Sequence, residues 1–286
     1  MRIAVTGGGG LVGRFIVNEA LGAGDRVTVL GRRAPVPGFF DAPAGFMPFD
    51  LAGEAPDLAG YDAVVHAAFD HVPGRYRGGE GDDPAGFLAR NLDGSARLFA
   101  AAARAGARVV FISTRAVYGP HPGRLGEDVP CRPDTLYGRA KLGAEQVLAG
   151  QPAMILRATG VYGPAGPGQR HKWADLFDDF AAGRPIAPRA GTEVHGADLA
   201  AAVRLGLAGA AGVYNVSDLL LDRHDLLAEW ARLSGRTGAV PARADRGFDG
   251  VMTTTRLRDL GWRPGGLAAL RRALAVMAGA NPPQEI

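Results

Sequence analysis

The chain has 286 residues, 47% of them hydrophobic and 21% charged, which is the balance of a folded globular protein and excludes a disordered one. That length can bury a substantial core, in one large domain or in a domain with a lobe. The formal net charge is only +3 and no basic cluster with interleaved aromatic residues appears, so a nucleic-acid partner is not expected.

A single cysteine, Cys131, rules out an internal disulfide and fits a reducing compartment. The first apolar run, Ile3-Ala4-Val5, is far too short for a signal peptide or a membrane span. A cytoplasmic protein with no membrane partner is the expectation.

Arg2 to Thr6 reads as a short buried strand running into Gly7-Gly8-Gly9-Gly10-Leu11-Val12-Gly13. A helix follows, with Leu11, Phe15, Ala20 and Leu21 on its packed face and Gly22-Ala23-Gly24 ending it. Strand, glycine turn and helix in that order are the context for dinucleotide binding. The turn is tight, its backbone can approach a pyrophosphate, and the helix N-terminus faces the phosphates. Gly7, Gly10, Leu11, Val12 and Gly13 are therefore expected to hold a cofactor.

A second strand, Val27 to Leu30, ends in Gly31-Arg32-Arg33. An acidic residue there would take the ribose hydroxyls of NAD. Two guanidiniums instead offer bidentate donors to a 2′-phosphate, which favours NADP, with NAD as the alternative.

Phe46 to Phe49 make a third strand, and Asp50 and Leu51 at its end are placed to meet the adenine edge. Ala63 to Ala68 read as a fourth, its small residues Ala67 and Ala68 letting a cofactor lie close. His66 reads as a core histidine. Residues 70 to 83 lack periodicity and read as a mobile loop over a site. A long helix from Pro84 to Ala105 holds Asn91, which is unfavourable inside a helix and marks a kink, a proton-relay water or an exposed polar residue.

A fifth strand, Arg108 to Thr114, delivers Ser113 and Thr114 at its C-terminal end, where open α/β sheets place their chemistry. Next come a helix from Tyr137 to Leu148, a strand from Ala153 to Ala158 and a Gly/Pro loop from Thr159 to Gly168. Trp173 to Ala182 reads as a helix, His195 precedes another from Ala197 to Leu207, and Val213 to Val216 is a strand. Leu226, Leu227, Trp230 and Leu233 form a packed helical stripe, and a last helix covers Leu267 to Met277. No internal repeat and no linker divides the chain.

Tyr137 and Lys141 stand four residues apart and share a helix face. Tyrosine titrates near pH ~10, and about 4 kcal/mol of preference for the phenolate would bring it to neutrality. A neighbouring ammonium, helped by a positively charged nicotinamide, is the kind of group that supplies it. Lys141 and Lys172 are the only lysines in a chain that otherwise uses arginine, and a lysine is a compact cation with several donors for a ribose hydroxyl.

With Thr114 and the glycine turn added, the chain resembles an extended short-chain dehydrogenase/reductase of the NAD(P)-dependent epimerase/dehydratase family over nearly its whole length. The likeness rests first on Thr6-Gly7-x-x-Gly10-x-x-Gly13, His66-Ala67-Ala68, Asn91 before Gly94, and Ser113-Thr114 followed by Val117-Tyr118-Gly119. It continues in Tyr137-Gly138-Arg139-Ala140-Lys141, in Leu156-Arg157 with Val161-Tyr162-Gly163-Pro164, in His195-Gly196-Ala197-Asp198-Leu199-Ala200, and in Leu260-Gly261-Trp262-x-Pro264.

The resemblance implies an α/β fold. A Rossmann-like doubly wound parallel sheet would occupy residues 1–160, completed by a strand near 213–216. Residues 161–286 would form mostly a small, mainly helical, discontinuous substrate lobe. Tyr137 would be the acid/base, Lys141 would lower its pKa and hold the nicotinamide ribose, and Thr114 would hydrogen-bond the substrate oxygen. Ala67, Ala68, Asn91 and Ser113 would join the cofactor contacts, no metal would be needed, and the helices containing Asn91 and Tyr137 would form a homodimer.

Two departures bear on the substrate. Nucleotide-sugar enzymes of this group carry, where Gly160 stands, an asparagine that helps to hold the diphosphate. Dehydratases carry an acidic pair where this chain has Arg115-Ala116. The expected activity is therefore interconversion of a secondary alcohol and a ketone on a small polar, sugar-like substrate. Arg115, the loop over residues 69–76, Thr159, His171, Lys172, Trp173 and His195 are the candidate substrate contacts. The alternatives are a nucleotide-sugar epimerase with tightly held cofactor and a non-catalytic NADP-sensing regulator; the intact Thr114, Tyr137 and Lys141 set argues against the regulator.

Overall fold

The computed structural model describes residues 1–72, 78–245, 247 and 249–279. Residues 73–77 of the expected loop over the site lie outside the described residues. In chain order the first half contains β1 (Arg2–Thr6), α1 (Leu11–Gly22), β2 (Arg26–Gly31), β3 (Gly45–Pro48), β4 (Ala63–His66) and α2 (Pro84–Leu88). A π-helical turn (Ala89–Asp93) leads into α3 (Gly94–Ala105), β5 (Arg108–Thr114), a 3₁₀ turn (Arg115–Val117), α4 (Leu136–Val147) and β6 (Ala153–Ala158). Then follow β7 (Gly160–Tyr162), α5 (Ala174–Ala181), β8 (Ala190–His195), α6 (Gly196–Leu207), β9 (Gly212–Val216), β10 (Leu219–Asp222), α7 (Arg223–Ser234), α8 (Thr255–Asp259) and α9 (Gly266–Met277).

Seven strands form one parallel sheet in the order β3-β2-β1-β4-β5-β6-β9. Successive side chains on a strand point to opposite faces, and the two cores follow that alternation. Ile3, Val5, Ala63 and Val65 pack with Ile16, Val17, Leu199 and Val203 of α1 and α6. Ala4 and Val64 pack on the other face with Leu98 and Phe99 of α3, Ala144 of α4 and Leu148 just after it. The sheet is thus buried on both sides, as parallel sheets require. Full burial of each such aliphatic side chain stabilises the fold by roughly 1.5–3 kcal/mol.

The strand order turns back between β1 and β4, so their C-terminal ends flank the crevice where such folds bind ligands. β9 pairs with β6 and adds the outermost parallel strand. A third core joins Tyr162, Trp173, Phe177, Leu227, Trp230 and Leu274, with Phe177 stacked on Trp230 at 3.9 Å between ring centroids.

Two features differ from the sequence reading. The C-terminal part is mainly helical but also holds a three-stranded sheet, β10-β8-β7. Its strands contain three to six residues each, carry Gly160 and Gly191, and show no clean alternation, so nothing in the local pattern marks them. The helix read from Pro84 to Ala105 is one rod interrupted by the π-helical turn around Asn91. Asn91 is 2% exposed, which removes the reading as a surface residue and supports the kink. Its Nδ2 donates to the Phe87 carbonyl at 2.9 Å, the carbonyl that the Asn91 backbone N–H would take in an α-helix. The backbone ladder slips accordingly.

Candidate active site

A cavity of about 1430 Å³ opens at the C-terminal ends of the parallel strands. Pockets for one small ligand usually hold roughly 300–1,000 Å³, so this one has room for two molecules side by side. Its first end is made of backbone. Gly7 has φ +71, and a Cβ on it would lie 2.7 Å from the Ala68 nitrogen. A Cβ on Gly13 would run into the Gly7 carbonyl and lie 2.6 Å from the Gly8 Cα. Only glycine permits this cradle, and Leu11, Val12 and Gly13 on its wall open α1, whose first N–H groups have no partner inside the helix. These residues fit a pyrophosphate.

Arg32, Arg33, Asp50, Leu51, Ala67, Ala68, Ser113, Thr114 and Tyr137 all line the same cavity. Asn91 and Lys141 do not. Asn91 works from behind: its Oδ1 accepts from the Asp70 nitrogen at 2.7 Å and its Nδ2 donates to the Asp70 carbonyl at 2.8 Å. Both bonds hold the segment Phe69–His71 that forms part of the wall.

His66 is buried between Thr6 and Ser95, with Nδ1 2.7 Å from the Thr6 hydroxyl and Nε2 2.8 Å from the Ser95 hydroxyl. Burial, with the Lys141 charge, holds its pKa well below the usual histidine value. It is a satisfied core histidine, as expected, and its bonds tie the ends of β1 and β4 to α3.

The start of α4 presents Tyr137. Thr135 caps the helix by accepting from the Gly138 nitrogen at 3.0 Å. Gly138 is required because a Cβ there would lie 2.6 Å from the Ala116 carbonyl. Thr114 accepts from the Ala116 nitrogen at 3.1 Å, which leaves its own O–H to donate into the cavity.

Lys141 is buried, one turn beyond Tyr137. Its Nζ donates to the Ile112 carbonyl at 2.7 Å and lies 4.9 and 4.7 Å from the ring centroids of Phe69 and Phe111. Burial draws its pKa down to about 7, with the Glu145 charge opposing. Phe69 lines the cavity and meets Tyr137 edge to face at 4.8 Å.

Beneath this surface the Ser113 hydroxyl donates to Glu145, and Arg157 clamps the same carboxylate at 2.7 and 3.1 Å. Arg157 also donates to the Tyr118 hydroxyl at 3.0 Å, which donates to Asn215 at 2.7 Å. The sequence reading missed this buried network. The available signals were an arginine inside the apolar β6 and a glutamate four residues after Lys141, on its face of the helix.

Arg115, Thr159 and Lys172 line the cavity as well, while His171, Trp173 and His195 stand outside its lining. Trp173 is buried and stacks on Tyr162 at 5.0 Å. His171 accepts from the Trp173 nitrogen at 3.3 Å. His195 caps α6 by accepting from the Ala197 nitrogen at 3.2 Å, between the rings of Phe15 and Tyr162. These three pack behind the wall and are not part of the lining. In their place the wall carries Gly160, Arg189, Thr192 and Glu193. Three of these lie on or beside β8, the strand that the sequence pattern did not reveal.

The curated UDP-glucose 4-epimerase of Streptomyces lividans is 34% identical to this chain over 163 residues, 52% of this chain and 47% of that protein. The dTDP-glucose 4,6-dehydratase of Mycobacterium tuberculosis is 33% identical over 187 residues, 57% of this chain and 54% of that protein. The chain thus spans about half the length of these curated relatives. The crystal structure of the UDP-glucose 4-epimerase of Thermus thermophilus in complex with NAD shares 27% identity at a TM-score of 0.77, covering 98% of this chain and all of that one. The family model described as the NAD dependent epimerase/dehydratase family matches residues 3–217. With the glycine cradle, the strand order and that match in agreement, the chain belongs to the NAD dependent epimerase/dehydratase family.

Proposed function

We propose that this protein is an NADP(H)-dependent oxidoreductase that interconverts a secondary alcohol and a ketone on a small polar, sugar-like substrate. The observation that carries this reading is that the glycine cradle, Thr114 and Tyr137 share one cavity, with Lys141 buried directly behind. A nicotinamide dinucleotide bound there supplies or accepts the hydride. Tyr137 takes the proton from the alcohol or returns it to the ketone oxygen. Thr114 donates a hydrogen bond to the same oxygen, and the nearby Lys141 ammonium favours the phenolate.

Arg32 and Arg33 support NADP, since both line the adenosine end and no carboxylate terminates β2. Residues 1–160 are the cofactor-binding part in this reading, and residues 161–286 mostly cover the substrate. In this reading the protein works in the cytoplasm as a homodimer through the helical rod that contains Asn91 and through α4, which contains Tyr137, with a small molecule as its other partner.

A second reading, a nucleotide-sugar epimerase with retained cofactor, is supported by what the relatives are. A non-catalytic sensor of NADP is disfavoured because it would have no use for the Thr114, Tyr137 and Lys141 arrangement.

The test is Tyr137→Phe. Turnover on a substrate found by screening polyols, sugar acids and ketones with both cofactors should fall by roughly 10²–10⁴, the usual share of general acid–base catalysis. Cofactor affinity should hold. Undiminished turnover would remove the mechanism.

A further inference from the structure

The wall of the cavity formed by β7 and β8 contains a pairing that neither the family description nor the sequence pattern assigns. Gly160 and Glu193 face each other as register partners of β7 and β8. The Glu193 carboxylate forms an ion pair with the Lys172 ammonium. A Cβ on Gly160 would land on Lys172 Nζ and lie 2.7 Å from Glu193 Oε2. The ion pair therefore occupies the volume that a side chain at position 160 would use. Glycine at 160 leaves that volume to the pair, and a side chain there would make the flexible ends of Lys172 and Glu193 shift.

All three residues line the cavity, where the side chains of Lys172 and Glu193 keep 29% and 12% of their surface. Burial pushes the Lys172 ammonium below its usual pKa and the Glu193 carboxyl above its own, so both groups gain from a further polar partner. An ammonium has three donors, and Glu193 takes one. Glu193 keeps free acceptor capacity on its second oxygen. Close by, Arg189 lies on the same wall, exposed, with no ion-pair partner among the described residues. Once Lys172 and Glu193 neutralise each other, Arg189 leaves a positive surplus. On that wall Thr159 donates to the Thr192 carbonyl at 2.7 Å, which closes the floor with a bond already made.

From this arrangement we propose that the Lys172–Glu193 pair, admitted by Gly160 and backed by Arg189, is the substrate-recognition element. The ligand class is a small polyhydroxylated acid: its anionic group binds Lys172 and Arg189, and a neighbouring hydroxyl donates to Glu193. The anion is a carboxylate or a phosphate monoester, since both offer oxygens to an ammonium and a guanidinium. The inference rests on the reading of the cavity as a sugar-like substrate site. Its test measures binding, so it can fail while the hydride chemistry stands.

The experiment is calorimetry on the full chain saturated with NADPH, using D-glucuronate, glucose 6-phosphate, glucose and UDP-glucose. Either acid should bind at least about tenfold tighter than neutral glucose, and whichever acid is tighter identifies the anion. Lys172→Met and Arg189→Ala should each remove most of that preference. Gly160→Ala, which makes the ends of Lys172 and Glu193 shift, should lower that preference, with NADPH affinity reporting that each variant is folded. Should Lys172→Met not fold, Arg189→Ala and Gly160→Ala decide the matter. Equal binding of glucose, no binding of either acid, or acid preference untouched in the folded variants would overturn the proposal. Tighter binding of UDP-glucose than of both acids would overturn it as well and favour the epimerase.

Discussion

Arg32 shows how a residue can be legible by type and still have its strength set by a neighbour. Its side chain is 70% exposed and its Nη1 lies 3.5 Å from Asp70 Oδ1, while Asp70 also accepts from Arg90 Nε at 2.7 Å. An exposed pair of this kind contributes little to stability, so the guanidinium can turn to a 2′-phosphate at small cost. On the NADP reading the protein should bind NADPH at least about tenfold tighter than NADH, a difference of about 1.4 kcal/mol. Arg32→Ala should erase most of that preference, and Asp70→Asn, which frees Arg32 from a competing anion, should increase it. Equal affinities of the wild type in fluorescence titrations would refute the assignment. Lys141 makes the same point from inside the protein. Spacing places it on the Tyr137 face of α4, but the tertiary packing decides that it is buried beside Phe69 and Phe111, and that burial draws its pKa down to about 7.

Helix α6 depends on its first contact. His195 Nδ1 accepts from the Ala197 nitrogen only while that ring nitrogen carries no proton, and burial, with the Arg272 charge, draws the histidine pKa down to about 4. The unfolded chain takes up a proton near pH ~6.5 and the folded one does not. The stabilisation is therefore complete above pH ~6.5 and is lost as the pH falls toward about 4. Between pH 7.5 and 5 the loss should reach about 2 kcal/mol at most, less where water reaches the ring. Asp198 and Asp218, both raised by burial, act with the opposite sign, because their protonation relieves a cost. His195→Asn keeps a cap acceptor without a titration and leaves both aspartates in place. The difference in melting temperature between pH 7.5 and 5 should be smaller in the variant by the histidine share; identical pH dependence would show that the cap does not titrate as described.

Across the whole molecule, two motifs more than sixty residues apart meet. Trp262 Nε1 donates to the Asp198 carbonyl at 2.7 Å and the Gly265 nitrogen donates to Asp198 Oδ2 at 3.1 Å. The Gly266 nitrogen donates to Asp218 at 2.9 Å, so the segment before α9 is fastened to α6 and to the turn after β9. Trp262 is 2% exposed and belongs to the same core as Leu199 and Val203. Trp262→Ala should cost about 3–5 kcal/mol, the range for truncating a buried aromatic residue. It should lower the urea midpoint of the sheet and of the C-terminal helices together. A loss confined to the C-terminal helices would show that the two cores unfold separately.

The sequence alone determined the alternation of strands and helices, the glycine cradle and the Tyr137 face of α4, because each follows from periodicity or from a backbone conformation that only glycine accepts, while the parallel sheet came from the family resemblance. It also held both halves of the Trp262–Asp198 contact, but not that they touch. Only the tertiary structure decided β7, β8 and β10, whose pairing depends on partners far along the chain, and with them the wall carrying Glu193 and Arg189. It likewise decided that Trp173 and His195 pack against Tyr162 and that Gly160 makes room for an ion pair. Those roles depend on which surfaces are buried together, and local sequence carries no record of that.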